Sequence, residues 1–142
     1  MILVDANVLI YAIDADSPHH SPARRWLEET LSGSTPVGLA WVVILAFLRI
    51  TTRSGILRRP LSPERAMEYV DEWLAQPYVR AVAPGEGHWT ILRKLVRDSG
   101  TAGNLTSDAH LAAVALELGA SICSTDGDFE RFPGIERVNP LR

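Results

Sequence analysis

Short apolar runs alternate along the chain with longer segments whose apolar residues recur at helical spacing. The short runs are typical of buried strands in a parallel sheet, and the longer segments are typical of helices packed on it. Strands separated by helices predict an α/β domain with a central parallel sheet of four to five strands. The predicted strands cover 1–4, 37–40, 78–82, 121–124 and, as the shortest, 137–138.

Most of the predicted helices begin or end at recognisable residues. Ser21-Pro22 and Ser62-Pro63 each place a capping residue before a proline in the first helical position. Another helix follows the second strand, from about Trp41 to Thr52. The helix from Thr106 or Ser107 to Leu118 is followed by Gly119, which we expect to stop it. This helix is apolar on nearly all sides, so we expect it to be deeply packed.

One further helix is marked by Trp89, Leu92, Leu95 and Val96, which recur at helical spacing. A stripe of this kind usually faces the core, so we expect Trp89 to be buried against the sheet. The alternative is that its indole stacks on an unpaired base of a nucleic acid.

Composition fits one compact domain spanning residues 1–142. Hydrophobic residues make up 46% of the chain and charged residues 22%, which is typical of a globular protein. The single cysteine, Cys123, excludes an internal disulfide and any metal site built from several cysteines. No apolar stretch is long enough to span a bilayer, and no signal peptide is recognisable, so a cytoplasmic location is expected.

The formal net charge is −3, so total charge does not mark the protein as a binder of nucleic acid. Its distribution is more informative, because the segment from Thr30 to Pro63 contains no acidic residue and several arginines. Arginine is suited to bidentate contact with phosphate, although a general preference for arginine over lysine in this chain is the alternative. Those arginines are Arg49, Arg53, Arg58 and Arg59.

Acidic residues follow two of the predicted strands directly. Asp5 follows the first strand, and Asp126 and Asp128 follow the fourth, while Asp108 lies in the first turn of the apolar helix. In a parallel sheet, ligands bind beyond the carboxyl ends of the strands, so these side chains are expected at one rim. Converging carboxylates predict a divalent cation, Mg²⁺ or Mn²⁺, since both prefer oxygen ligands.

Two neutral residues are candidates for supporting this site, and each acid also has a purely structural interpretation. Asn7 is placed to orient Asp5 or a water, and Thr125 to donate a hydrogen bond to a carboxylate. Alternatively, Asp5 caps a helix, Asp108 complements a helix dipole, and Asp126 begins a turn. Those alternatives do not explain why the acids meet at one rim.

The ordered set of motifs resembles the PIN-domain ribonucleases and, among them, the VapC toxins. The resemblance covers nearly the whole chain and includes a D-x-N motif after the first strand. The matching segments are 4–9, 41–49 with Thr52, 104–112 around Asp108, and 124–129.

The resemblance implies a three-layer α/β/α sandwich and an endoribonuclease that needs Mg²⁺ or Mn²⁺. Asp5, Asp108 and Asp126 are then the catalytic and metal-binding residues, with Asn7, Thr125 and Asp128 in support. RNA is the implied substrate, cut in single-stranded or loop regions. A cognate antitoxin and a homodimer are the implied protein partners. We also expect Arg49 or Arg53 to face the acidic rim and hold a phosphate, since they lie four residues apart.

One position departs from the family pattern. The family usually carries a glutamate on the helix after the second strand, and Ala46 occupies that position here. The chain therefore resembles a VapC subgroup that lacks this acid, which leaves either one or two ions open. The alternative function is a catalytically weak PIN module that acts by binding RNA or protein. A flap-type DNA nuclease is disfavoured because the chain lacks room for the helical clamp of such enzymes.

Overall fold

A five-stranded parallel sheet forms the centre of the protein, as seen in a computed structural model. The structure describes residues 1–100 and 102–142, without the side chain of Asn104, which lies in one of the motif segments. The strand order is β3-β2-β1-β4-β5, so the first strand occupies the middle. The strands are β1 (Ile2–Val4), β2 (Val37–Ala40), β3 (Val79–Val82), β4 (Ser121–Cys123) and β5 (Arg137–Val138).

Helices cover both faces of this sheet, which confirms the predicted α/β/α layering. Because parallel crossovers are right-handed, the helices before β3 lie on one face and the two helices between β3 and β4 lie on the other. The first group is α1 (Ala6–Ile13), α2 (His20–Ser32), α3 (Trp41–Thr52) and α4 (Pro63–Leu74), and the second is α5 (His88–Ser99) and α6 (Thr106–Leu118). Two 3₁₀ helices cover Gly103–Leu105 and Gly127–Arg131.

The central strand pairs bring distant parts of the chain together at the rim of the sheet. Val4 of β1 is in register with Cys123 of β4, so the residues that follow both strands leave the sheet side by side. The backbone N–H of Asp5 extends this pairing by donating to the carbonyl of Cys123 at 2.9 Å. The acids after β1 and β4 therefore lie at the same rim, as predicted.

One hydrophobic cluster fills the space between the layers, and α6 is its most deeply packed helix. Ala112, Ala113 and Ala115 have no exposed surface, which confirms the prediction for an all-round apolar helix. Gly119 ends this helix with a φ of +63°, a left-handed conformation that glycine adopts without strain. Cys123 is fully buried, and burial raises the pKa of its thiol, as expected of an inert core cysteine.

The structure corrects two helix predictions. α2 begins at His20 rather than at Ser21-Pro22, and its start is held by the His20 ring, whose Nδ1–H donates to the Tyr11 carbonyl at 2.9 Å. Trp89 is not buried against the sheet, because 68% of its surface is exposed. Within the described residues, no helix combines the length and apolar character needed to cross a membrane.

Candidate metal centre

The rim of the sheet is organised around one buried hydroxyl, that of Ser124. Its Oγ donates to Oδ2 of Asp5 at 2.7 Å and accepts from the amide of Asn7 at 3.2 Å. The same oxygen accepts from the backbone N–H of Asp126 at 3.0 Å. Ser124 has no exposed surface, so these bonds are shielded from water. One side chain thus holds the segments after β1 and β4 in a fixed relation.

Asp5 caps α1 and is also an acceptor within this web. Its Oδ1 accepts from the backbone N–H of Ala6 at 2.8 Å, while its Oδ2 accepts from Ser124 and, at 3.3 Å, from Asn7. Burial raises the pKa of Asp5, although the hydrogen bonds from Ser124 and Ala6 act in the opposite direction. The capping interpretation is therefore correct but incomplete, since only one carboxylate oxygen is used for it.

Three other carboxylates form what we call the acidic cluster: Asp108, Asp126 and Asp128. One oxygen from each lies within 4.8 Å of the others. Asp126 and Asp128 are positioned by the turn after β4, where Oδ1 of Asp126 accepts from the Asp128 N–H at 2.8 Å. Asp108 reaches them from the first turn of α6. Asp5 is not one of these three, but its charge acts on both Asp108 and Asp126.

The electrostatics of the acidic cluster are those of an unneutralised anionic site. Burial and the nearby charges of Asp126, Asp5 and Asp128 raise the pKa of Asp108 to about 7. In the described part of the chain, neither Asp108 nor Asp126 has a salt bridge, and Asp128 has one at 3.7 Å with the exposed Arg131. A divalent cation would relieve this repulsion. The donor set consists of oxygens only, which suits hard cations such as Mg²⁺, Mn²⁺ or Ca²⁺ better than Zn²⁺ or Cu²⁺.

Some of the supporting residues predicted from the sequence make the expected contacts in the structure, and others do not. Asn7 orients Asp5, as expected, and its Oδ1 accepts from the backbone N–H of Thr125 at 3.4 Å. Thr125 contributes that N–H, whereas its hydroxyl donates to no carboxylate among the residues described. Arg49 is exposed in the last turn of α3 and forms no salt bridge within the described residues, and Ala46 is half-buried on the same helix. Their orientation toward the acids stays a prediction.

Two contributors at the rim were missed by sequence reasoning. Ser124 is one, and Arg137 of β5 is the other, since its Nη1–H donates to the Ser124 carbonyl at 3.2 Å and its Nη2–H to Glu130 at 2.7 Å. Only 12% of the Arg137 side chain is exposed. A serine at the end of a strand is too common to single out, and the role of Arg137 depends on strand register.

A second polar group, the histidine cluster, joins α5 to α6 and consists of His88, His110 and Glu117. The Nδ1–H of His88 donates to Oε1 of Glu117 at 3.2 Å, and the Nε2 of His88 lies 2.9 Å from the Nδ1 of His110. With His88 neutral, its Nε2 accepts from the Nδ1–H of His110. Oε1 of Glu117 also accepts from the backbone N–H of Gly85 at 3.2 Å. Burial, and then the neighbouring His88, lower the pKa of His110.

Comparison with known proteins identifies the family of this chain. The profile of the PIN domain matches residues 2–135. Ribonuclease VapC37 of Mycobacterium tuberculosis is 49% identical over 140 residues, which cover 99% of this chain and 97% of the relative. Ribonuclease VapC33 of the same species is 41% identical over 142 residues, which cover 100% of this chain and 99% of the relative.

Solved structures show the same fold at much lower identity. The crystal structure of VapBC2 from Rickettsia felis, bound to a DNA fragment from their promoter, matches with a TM-score of 0.72 at 18% identity and covers 98% of both chains. The assignment within the PIN-domain family rests on the two sequence relatives, because this chain aligns with both over nearly their full length. The chain therefore belongs to the PIN-domain family and, within it, to the VapC ribonucleases, the toxins of type II toxin–antitoxin systems.

Proposed function

We propose that the whole chain, residues 1–142, acts as a single PIN domain and cuts RNA phosphodiester bonds with Mg²⁺ or Mn²⁺ held at the acidic cluster. The observation that carries this proposal is the convergence of three carboxylates in a chain of the VapC family, with no basic partner of Asp108 or Asp126 among the described residues. Because its substrate is RNA inside the bacterium, we place the activity in the cytoplasm.

Each acid has a distinct proposed role. Asp108, Asp126 and Asp128 supply direct oxygen ligands, since their oxygens lie within 4.8 Å of one another. Asp5 contributes its charge and the hydrogen bonds that connect the ion site to β1. Asn7 orients Asp5, and the backbone of Thr125 orients Asn7. Arg49 is the proposed phosphate contact on α3, where it is exposed and free of a salt bridge in the part of the chain described.

The chemistry requires a water to attack phosphorus while the bond to the leaving oxygen breaks. When bound, the cation stabilises negative charge on the phosphate and lowers the pKa of a water. The protein residues fix where this happens. A rigid rim held by Ser124 and Asn7 keeps the carboxylates in place, so little reorganisation accompanies the reaction.

Two protein partners follow from the family assignment. A cognate antitoxin is proposed because VapC proteins are the toxin halves of two-component systems, and a chain of the same fold was solved as VapBC2 on promoter DNA. A homodimer is proposed as well, and the exposed apolar side chains of Trp41 and Leu45 on α3 are candidates for burial between subunits.

We further propose that the chain represents a VapC subgroup in which Ala46 replaces the usual helix glutamate. Ala46 lies in the middle of α3, half-buried, and its neighbours one turn away on this helix include the apolar Val43 and the basic Arg49. One fewer carboxylate favours one bound ion over two. The expected consequence is a weaker dependence of folding on metal and a lower metal affinity than a site with four acids would have.

The test is an RNA cleavage assay with purified protein in Mg²⁺, Mn²⁺ or EDTA. We expect cleavage with either ion, none with EDTA, and loss of cleavage in Asp5→Ala and Asp126→Ala. Asp71→Ala is the matched control, because Asp71 is an exposed aspartate of α4, outside the acidic cluster. Equal cleavage by Asp126→Ala and the parent would contradict the mechanism. RNA binding without cleavage in all conditions would favour the catalytically weak module instead.

A further inference from the structure

An exposed aromatic and basic surface runs along α5, on the opposite side of the sheet from Arg49. We call Trp89, Arg93 and Arg97 the α5 face. Trp89 is the most exposed large hydrophobic residue described, at 68%, and both arginines are exposed. The two guanidinium groups form no salt bridge in the part of the chain described. These residues line a depression of about 300 Å³ together with Thr90, Lys94 and Asp98.

The spacing of the α5 face is regular. Its three residues are four positions apart, so they follow one another on one side of the helix over about 12 Å. The opposite side of α5 packs against the core through Leu95, with Ile91 and Val96 beside it. The exposed indole is therefore not a core residue left partly uncovered at a helix end. It lies on the side of α5 that the fold leaves to solvent.

We propose that the α5 face is a second contact surface for single-stranded RNA, separate from the acidic cluster. The indole of Trp89 stacks on a base, and the guanidinium groups of Arg93 and Arg97 bind successive phosphates. This inference rests on the proposed ribonuclease function, because it assigns part of the same substrate to a new surface. Because the net charge of the protein is −3, RNA binding requires a local group of positively charged side chains, and this face supplies one.

The direction of α5 places one end of the α5 face near the acidic cluster. α5 packs against α6, and the connection between them is confined to residues 100–105, so the two helices are antiparallel neighbours. The end of α5 that carries Arg97 is therefore near the end of α6 that carries Asp108. A strand of RNA leaving the acidic cluster meets Arg97 first, then Arg93, and then Trp89.

A second copy of the chain is a poorer occupant of this face. In a twofold-symmetric contact, the same patch meets itself, so Arg93, Lys94 and Arg97 would meet their own copies. Among the described residues that line the depression, Asp98 is the one acid that could offset them, and it is already paired with Lys94 at 3.1 Å. Charge complementarity therefore favours a polyanion over a second subunit.

The experiment is a binding titration of fluorescein-labelled oligouridylate, followed by anisotropy in EDTA so that no cleavage occurs, across a series of salt concentrations. Trp89→Ala should weaken binding by about 5- to 100-fold at fixed salt, which is the usual contribution of one stacked base. Trp89→Phe, which keeps an aromatic ring, should recover most of this loss. The Arg93→Gln, Arg97→Gln double variant should reduce the slope of log affinity against log salt by about 1.4, or ~0.7 for each phosphate contact.

Two matched controls lie away from the α5 face. Arg25→Gln removes an exposed arginine of α2 that has no salt bridge in the described residues, and Tyr78→Ala removes an exposed aromatic side chain just before β3. Both should leave the affinity and the salt slope unchanged. Circular dichroism should show the same helix content in all variants, since each altered side chain is exposed.

Cleavage of a short oligonucleotide separates this proposal from the proposed function. An RNA too short to reach α5 should be cut equally by the parent and the α5 variants, and a long RNA should be cut less well by the variants at low concentration. If the parent cuts nothing, the ribonuclease function fails, while the binding titration still reports on the α5 face. Unchanged affinity and salt slope in the α5 variants would overturn the inference. So would variants that change only the oligomeric state, which would make this face a protein interface.

Discussion

The acidic cluster and the histidine cluster both include residues of α6, yet their polar groups are satisfied in opposite ways. In the histidine cluster, Glu117 accepts from His88 and from the Gly85 backbone, and His88 is bonded in turn to His110. In the acidic cluster, carboxylates face one another, and burial with mutual repulsion raises the pKa of Asp108 to about 7. The histidine cluster finds its hydrogen-bond partners within the protein, whereas Asp108 and Asp126 have no basic partner among the described residues.

This difference separates polar residues that stabilise the fold from those that serve a ligand. A half-buried carboxylate is costly unless a donor or a cation compensates for its lost hydration. Glu117 has its donors in the chain, so removing it should affect stability. Asp108 and Asp126 have no cation in the described chain, so removing either should affect ligand binding and relieve repulsion.

The largest expected effect is on catalysis in Asp126→Asn. Loss of one charged ligand should reduce the cleavage rate by at least about 100-fold, since changes outside the direct ligands already cost 10–100-fold in metal sites. Stability in EDTA should not fall, because repulsion with Asp108 and Asp5 is relieved. Cleavage rates and melting curves check both parts, with the exposed Asp71→Asn of α4 as the control. If the variant lost cleavage because it unfolds, Asp126 would be a residue that stabilises the fold, and the contrast between the two clusters would not hold.

The second effect is on stability in Glu117→Ala. The His88 ring and the Gly85 N–H each lose an acceptor, so the free energy of unfolding should fall by about 2 kcal/mol, or roughly 4–8 °C in Tm. RNA cleavage below the new Tm should be retained. The control is Glu68→Ala, which removes only an exposed salt bridge on α4 and should cost less than about 0.5 kcal/mol. Loss of cleavage at full stability would assign the histidine cluster to the site.

A third prediction concerns pH. The pKa of Asp108 is about 7 in the folded protein against 3.8 for a free aspartate, so the folded state holds this proton more tightly than the unfolded state. Its favourable contribution is complete below about pH 4 and is lost as pH rises through about 7. Asp108→Asn should therefore be more stable than the parent in EDTA near pH 8, by about 1 kcal/mol after allowance for partial exposure, and not near pH 4. Urea unfolding at both values is the measurement, and an equal difference at both would count against it.

The smallest effect is expected for Ala46→Glu. If Ala46 stands where relatives carry a glutamate, the new carboxylate adds an oxygen ligand and should tighten Mn²⁺ binding by about fivefold, or ~1 kcal/mol. Stability in EDTA should fall, because another negative charge joins the rim. Calorimetric titration with Mn²⁺ and melting curves in EDTA are the tests, with Ala46→Gln as the uncharged control. Equal Mn²⁺ affinity in the Glu and Gln variants would place Ala46 away from the ion.

The strands of the sheet and the helix that follows β2 could be predicted well from the sequence, and the reason is physical. β2 and α3 were predicted to the residue, because the apolar run at 37–40 is followed at once by a long apolar helix. The rim of acids also followed from the strand pattern, since parallel strands end at the same side of a sheet. Five strands were found where four to five were expected.

What the sequence could not give depends on register and on helix rotation. Ser124 becomes the centre of the rim only because Val4 pairs with Cys123, and nothing in its neighbours in sequence indicates that role. Trp89 lies three residues before Leu92, so its spacing alone is compatible with the apolar stripe, but the rotation of α5 on the sheet turns the indole to solvent. The histidine cluster joins residues 22 positions apart, which no local motif connects.

The hydroxyl of Ser124 has a consequence for when this protein becomes active during its synthesis. It bonds Asp5 across a sequence separation of 119 residues, so the rim cannot assemble until the later partner has been made and has left the ribosome. At bacterial elongation rates, that interval is roughly 6–24 s. A partly synthesised chain has α1 and its capping aspartate but no complete acidic cluster. If the acidic cluster is the cleavage site, as we propose, a nascent chain cannot cut the RNA that surrounds the ribosome until β4 has inserted beside β1.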